Sequence, residues 1–389
     1  MKKSSEKIRV THVGRLERPV DVTAAMEADA RGRPRDHAFG TRLKAAVGEI
    51  VGRQAQTGID VVTDGEFGKL SWIAYQHSRL GGYELKPVPT DGRYAPRSRD
   101  RLAFADFYKE LEAPGTYFFK SPGSDVPPGM QWVCTAPLTY VGHEALQEDI
   151  GNLRAAQAQH GLEEAFMPAT GPMRLGRDEY YASEDAYMEA AGEAMRQEYL
   201  AITAAGLVLQ VDDPGLAVSW DSTIPAPSIK EFRKRTEQRI ELINHLLRGI
   251  PEDRVRFHVC WGSWHGAHAH DLPLRDIADL LMKLNVQAYV IEGANARHEH
   301  EWMVWRDIKL PDHKILIPGM VSHATNVIEH PELVAWRITN YAGVVGRERV
   351  IAGTDCGLGY RVHDQIAWAK LRALADGAQL ATKQLWKTG

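Results

Sequence analysis

Short apolar runs alternate with longer amphipathic stretches along most of this chain, and that alternation points to parallel strands joined by helices. The runs are IRVTHV (8–13), IDVVTD (59–64), MQWVCT (130–135), EEAFMP (163–168), LVLQVD (207–212), VRFHVC (255–260), AYVIEG (288–293), KILIPG (314–319) and RVIAGT (349–354). Helical patterns fill 41–57, 184–204, 229–247, 274–284, 331–345 and 364–380. Nine runs are one more than a closed eight-stranded barrel takes, so either the first run or MQWVCT is surplus. An open doubly wound sheet is the competing layout. The expected fold is α/β, a (β/α)8 TIM barrel with a long insertion after the second strand. One barrel domain is expected over 1–389, with about 69–131, rich in Pro, Gly and Arg, inserted as a lid or part of the substrate pocket.

The chain has 389 residues, ample for a large core, with 44% hydrophobic and 25% charged residues, as in ordinary globular proteins. A formal net charge of -4 gives no reason to expect nucleic acid or an anionic membrane as partner. Three cysteines are too few for a disulfide framework and point to a reducing compartment. The basic start MKKSSEKIRV has no apolar run behind it, and no stretch nears the ~18 apolar residues of a membrane span. A cytoplasmic location is expected.

Reactive side chains fall at the ends of the runs. His258 and Cys260 end one, Glu292 ends the next, and Cys356 follows the last. Glu66 and Asp212 also stand just past strand ends. In a barrel these ends converge on one face, where active sites lie. His-x-Cys on a strand turns both side chains to one face. Thiolate, imidazole and carboxylate are the ligands that zinc takes in a tetrahedron. Such a site either staples a fold or activates a sulfur. Taken alone, the His-x-Cys pair reads equally well as a buried apolar Cys beside a hydrogen-bonded His. Cys356 weakens that reading, because a Cys among the glycines of GTDCGLG has little packing to gain. Cys134 sits in an apolar run and reads as structural or pocket-lining. His265, His268 and His270 in WHGAHAH have a spacing that could suit a metal but read rather as a polar loop whose imidazoles can still face the pocket, and His298 and His300 read as solvated groups or supports behind the ligands. Asp212 could instead cap a helix; the following Asp213-Pro214 looks like a helix start, with Asp213 as the turn residue.

From THVGRLERP to IAWAKLRALADGAQLATKQLW the chain resembles the cobalamin-independent methionine synthase superfamily, in its short single-barrel form. GIDVVTDGE, LQVDDPGLA, HVCWG, IEGAN and VIAGTDCGLG carry the resemblance. It implies zinc held by His258, Cys260, Glu292 and Cys356. It implies homocysteine held by Glu66 and Asp212, with contacts from Thr11 and His12. The superfamily's proton-donating His, counted without gaps from Gly319, falls on Ala324; His323 lies one residue away and is the expected general acid. The resemblance implies one barrel here where the full-length synthases have two, and so the expectation is a chain without the partner domain that helps them bind folate. Arg15 and Glu17 stand where those enzymes show smaller or polar residues. The expected activity is zinc-dependent S-alkyl transfer, most directly of a methyl group to homocysteine or a related thiol. The donor would be a methylated folate or a methyl-corrinoid protein. A zinc-activated thiol opening an epoxide, as in coenzyme M-type transfer, is the alternative. A non-catalytic binding homologue with structural zinc is the alternative of another class.

Overall fold

The structure is a computed structural model and describes residues 1–30, 37–89, 97–111, 113, 125–174 and 176–386. Its strands are β1 (Arg9–Val10), β2 (Val61–Val62), β3 (Leu80–Pro87), β4 (Met130–Tyr140), β5 (Glu164–Thr170), β6 (Arg177–Asp178), β7 (Val208–Asp213), β8 (Val255–Val259), β9 (Ala288–Ile291), β10 (Ile315–Val321) and β11 (Ile351–Thr354). Eight of them form one parallel sheet in the order β1-β11-β10-β9-β8-β7-β5-β2. The two end strands meet through side chains and one backbone bond. Asp60 N–H donates to the Val10 carbonyl at 2.9 Å, and Val10 N–H donates to Asp60 Oδ2 at 2.9 Å. Thr11 Oγ1 donates to the Val61 carbonyl at 2.9 Å. The sheet is therefore a nearly closed barrel, as expected.

Strands covered on both faces should read as unbroken apolar runs. β9 (AYVI) and β10 (ILIPGMV) do, and every residue in them is buried. The outer helices begin on local signals. Ser183 accepts from Ala186 N–H to open Glu184–Ala204, and Ser228 with Glu231 forms a capping box before Ile229–Leu246. Pro331 opens Pro331–Val345. The helix expected over 274–284 is instead a 3-10 turn, Leu274–Asp276, and a short helix, Ala278–Leu281. Ile277, at φ -131° and ψ -9°, interrupts them. None of the described helices is long and apolar enough to cross a membrane.

MQWVCT is the surplus run. It opens β4, which pairs antiparallel with β3 and parallel with β6 in a separate three-stranded sheet. That sheet belongs mostly to the insertion, which leaves after β2 and rejoins the barrel at helix His143–Gln159, beyond the expected limit of 131. Residues 90–96, 112 and 114–124 of the expected insertion lie outside the described residues. Arg79 anchors the insertion. Its Nη2 donates to Asp149 Oδ2 at 2.5 Å and its Nε lies 3.7 Å from Glu198 Oε2. Tyr75 and Tyr140 also donate to Glu198, and all five side chains are buried.

Arg79→Met would leave Asp149 and Glu198 buried without their cation. It is expected to cost about 3–5 kcal/mol, read as a lower chemical-denaturation midpoint. A midpoint equal to wild type would mean the insertion does not depend on this ion pair.

Candidate metal centre

β8 ends at the centre of the site. His258 lies on it and Cys260 just follows it, while Cys356 follows β11. One ligand atom from each of His258, Cys260 and Cys356 lies within 4.8 Å of the other two, and all three residues are buried. The two sulfurs are 3.8 Å apart. Parallel pairing of β7 with β8 puts Asp212 opposite His258, and His258 Nδ1 donates to Asp212 Oδ1 at 2.9 Å. That bond fixes the ring and leaves Nε2 as the nitrogen to face a ligand.

Behind Asp212 runs a chain of buried polar groups. Gln210 Nε2 donates to Asp212 Oδ1 at 2.8 Å and to the Val13 carbonyl at 2.6 Å. Gln210 Oε1 accepts from Arg256 Nε at 2.7 Å. Arg256 then donates to Thr11 Oγ1 at 3.1 Å and to the His12 carbonyl at 2.6 Å, with its guanidinium 3.5 Å above the Phe166 ring. Burial presses the Arg256 guanidinium down to about 9. Thr11 and His12, expected to touch substrate, are thus tied into this interior chain. His12 Nε2 also bonds to Gln54 Oε1 at 2.9 Å, and burial pushes its pKa down to about 4.

Glu292 follows β9. It is buried and accepts from Asn295 Nδ2 at 2.9 Å through Oε2, but it stands outside the close trio. Its loop is tied to the Cys356 loop by Asp355, whose Oδ1 accepts from the N–H groups of Gly293 (2.8 Å) and Ala294 (2.9 Å). A Cβ on Gly319 would lie 2.0 Å from that same oxygen, so the close approach needs glycine. Sequence reasoning passed over Asp355; its place beside Cys356 in a strand-end loop was the available signal. Burial first, then the Asp355 charge, hold the Glu292 carboxyl up to about 8.

The donor set and the unpartnered atoms both suit a divalent cation. His258 Nε2, Glu292 Oε1, Asp355 Oδ2 and both ring nitrogens of His323 are buried with no hydrogen-bond partner. Such groups are costly unless something satisfies them. Burial alone would lower the His258 pKa, but Asp212 and the Cys356 sulfur outweigh it and raise it to about 10. Surroundings that favour a proton on that ring also favour a metal ion beside it. Between the sulfurs, hydrogen bonding puts the negative charge on Cys356, lowering its pKa, and raises that of Cys260.

The remaining expected residues divide. His323 is fully buried, burial pushes its pKa down to about 4, and its carbonyl accepts from His265 Nε2 at 3.2 Å. The register of β10 against β11 shifts between Gly319 and Val321, so counting strand faces from Gly319 does not carry to His323. Glu66 accepts from Arg15 Nη2 at 2.7 Å. Asp213 belongs to β7 and pairs with Arg239 Nε at 2.6 Å, so it does not cap the helix Gly215–Ser222. Cys134 is buried in the small sheet beside Leu138 and Tyr187.

Of the loop histidines, His300 is exposed, whereas His268 and His298 are held in an interior hydrogen-bonded group, His298 matching the expectation of a support rather than a solvated residue. His268 Nδ1 and His298 Nε2 both bond Asp271 Oδ2, at 2.8 and 3.0 Å, and His298 Nδ1 bonds Glu301 Oε2 at 2.8 Å. His298 is buried. His270 Nδ1 bonds Asp100 Oδ1 at 2.6 Å, and the N–H groups of Ala269 and His270 also donate to Asp100, each at 3.1 Å. Asp100 lies on the insertion helix Arg99–Ala103, so these bonds fasten the insertion to the loop that follows Cys260.

Two outcomes follow from this geometry. Asp212→Asn is expected to weaken the binding of a divalent cation, probed with zinc in competition with a chromophoric chelator, about 10–100-fold, because it loses the group that fixes the imidazole. Unchanged affinity would remove Asp212 from the centre. Zinc also competes with protons. His258 (about 10) and Glu292 (about 8) both lie above neutral pH, so both hold protons there, and affinity rises as pH climbs from 7 through 8. Zinc added at pH 7 in weak buffer should acidify the solution, as followed with an indicator dye. No proton release would contradict the ligand assignment.

No protein-family profile matches the chain. It is 22% identical to a methionine synthase of Sulfurisphaera tokodaii, over 97% of this chain and 94% of the relative. It is 25% identical to a 2-hydroxypropyl-CoM lyase of Xanthobacter autotrophicus, over 91% of this chain and 89% of the relative. The structure of a B12-independent methionine synthase from Shewanella sp. W3-18-1, in complex with selenomethionine, superposes with a TM-score of 0.70 at 18% identity. That superposition covers 97% of this chain and 99% of the other, so the fold is shared along the whole length. The five motifs, the full-length sequence similarity and the common barrel agree with one another: along its whole length the chain is similar to cobalamin-independent methionine synthases and shares their fold.

Proposed function

We propose that the chain is a zinc-dependent thiol S-alkyltransferase that passes a methyl group to homocysteine or a related small thiol. The observation that carries this reading is the buried trio of His258, Cys260 and Cys356, with sulfurs 3.8 Å apart, at the strand ends of a barrel. These three residues, with Glu292, would hold the zinc. When bound, zinc supplies the Lewis acidity that ionises an incoming thiol and the charge that orients it.

The chain's own residues do the rest. Asp212 keeps the Nδ1 proton of His258 in place, so that Nε2 presents its lone pair. Asp355 sets the Glu292 loop against the Cys356 loop. In the transfer a sulfur–carbon bond forms, the bond from that carbon to its leaving atom breaks, and the electron pair goes to the leaving atom. The proton that the thiol gives up goes to the leaving atom, and His323 is assigned as the general acid that delivers it. The whole chain, 1–389, is read as one barrel domain. The bonds from Asp100 to the loop after Cys260 support reading the insertion, about 69–131, as the lid over this pocket.

A second reading has its own support. The 2-hydroxypropyl-CoM lyase relative and the pairing of Glu66 with Arg15 both favour an acceptor other than homocysteine. In that reading the same activated sulfur opens an epoxide ring, and the electron pair goes to the ring oxygen. Nothing in the structure or among the relatives supports a corrinoid protein as donor.

With cobalt in place of zinc, a small thiol is expected to change the visible spectrum, and Cys356→Ser to abolish both that change and turnover. Full activity in Cys356→Ser would overturn the assignment, and a spectrum indifferent to every thiol would favour a structural metal. One thiol offered methyl donors and then epoxides separates the two electrophiles.

A further inference from the structure

The carboxylate expected to hold a substrate ammonium is neutralised from within. Glu66 Oε2 takes Arg15 Nη2 at 2.7 Å, and the two side chains are only 8% and 13% exposed. The other oxygen is walled in. Gly14, at φ +147°, passes so close that a Cβ there would lie 2.8 Å from Glu66 Oε1 and 3.0 Å from Pro168 Cγ. Glu66 itself is held at φ +60°, in the left-handed region that non-glycine residues rarely adopt. A side chain held this way does not simply swing to meet a new cation. Asp212, the other expected ammonium partner, already shares Oδ1 between His258 and Gln210.

Arg15 is also placed against the metal centre. A Cβ on Gly357, the residue after Cys356, would sit 3.1 Å from Arg15 Cβ, and Gly359 N–H donates to the Arg15 carbonyl at 3.0 Å. More cations gather nearby. Arg18 donates to the carbonyls of Lys69 and Leu70, toward which Arg15 Nη1 also points at 3.4 Å. Lys69 donates to the Pro168 carbonyl. Arg361 Nε donates to Ser263 Oγ at 3.0 Å, joining the loop that follows Cys356 to the loop that follows Cys260. Against these stand Glu66 and Asp64, and Asp64 is a buried carboxyl that accepts from Glu66 N–H at 2.9 Å. Asp149 also faces this cluster, drawn to both Lys69 and Arg79, so the pairing of Arg15 with Glu66 is what sets this part of the site apart.

We propose that Arg15 determines acceptor specificity: by occupying Glu66 it closes the place for an α-ammonium, so the thiol accepted here is a small one bearing an anionic group, carboxylate or sulfonate, and no ammonium. This rests on the thiol-transferase reading and narrows its substrate class. An ammonium entering the site meets a carboxylate already paired with the Arg15 guanidinium, and its desolvation goes unrewarded. An anion meets the guanidinium itself.

The test compares homocysteine with 4-mercaptobutyrate, the same molecule without its amine, on the cobalt-substituted full chain. Cysteamine and 2-mercaptoethanesulfonate complete the set, and binding is read from the thiol-dependent visible spectrum. In wild type, 4-mercaptobutyrate is expected to bind at least as tightly as homocysteine, and cysteamine weakest of all. The sulfonate measured against 4-mercaptobutyrate tells which anion fits better. Arg15→Met frees Glu66 and should shift the ratio toward homocysteine by about tenfold, the worth of one charged hydrogen bond. Arg15→Lys keeps a cation on Glu66 and should hold the wild-type order, which separates specificity from damage to the fold. Homocysteine binding tenfold tighter than 4-mercaptobutyrate in wild type would overturn the proposal, as would a ratio unmoved in Arg15→Met. If no thiol alters the spectrum, the thiol-transferase reading fails first and takes this proposal with it.

Discussion

One in-register contact organises the centre: Asp212 on β7 beside His258 on β8. Parallel pairing puts the two residues level, and the hydrogen bond between them decides which imidazole nitrogen faces the sulfurs. The contact is braced from below, since Gln210 and Arg256 carry it to Thr11 and His12 on the far wall. Every group in that chain is buried, and each is satisfied by the next. Removing one member would strand its neighbours, so the imidazole is held by the whole interior rather than by one carboxylate.

The barrel was legible in the sequence because its strands are buried on both faces and read as unbroken apolar runs. MQWVCT has the same composition but pairs in a sheet of its own, a difference of tertiary placement that local pattern does not encode. The ligand residues were legible because they end runs. Their surroundings were less so. Asp355 binds two backbone N–H groups across the barrel, and no spacing rule points to such a contact. His268 read as part of a polar loop and His298 as either solvated or a support, and only the fold shows that the two share Asp271 in the interior. Thr11 and His12 sit where the motif puts them, but only the fold shows that their polar atoms are engaged by Arg256, Gln54 and Val61.

The electrostatics of the centre have one theme. Glu292, Asp355 and Asp212 are all carboxyls raised by burial, and His258 is raised by its neighbours. Three acids, two sulfurs and few compensating protons in so small a volume amount to a demand for positive charge. Protons meet it in one form of the protein and a divalent ion would meet it in another. Beside the centre the charges are matched differently: Arg15 is paired with Glu66, and Lys69 lies near Asp64 and Asp149.

The junction between β1 and β2 is the thinnest part of the wall. Each strand is two residues long, and Asp60 supplies most of what joins them. In the strand order this seam lies diametrically across from β8 and β9, which carry His258 and Glu292. Local opening starts where the fewest bonds must break. Deuterium should thus enter the barrel first around Val10 and Val61, and the cylinder can breathe on that side while the staves β8 and β9 opposite stay shut.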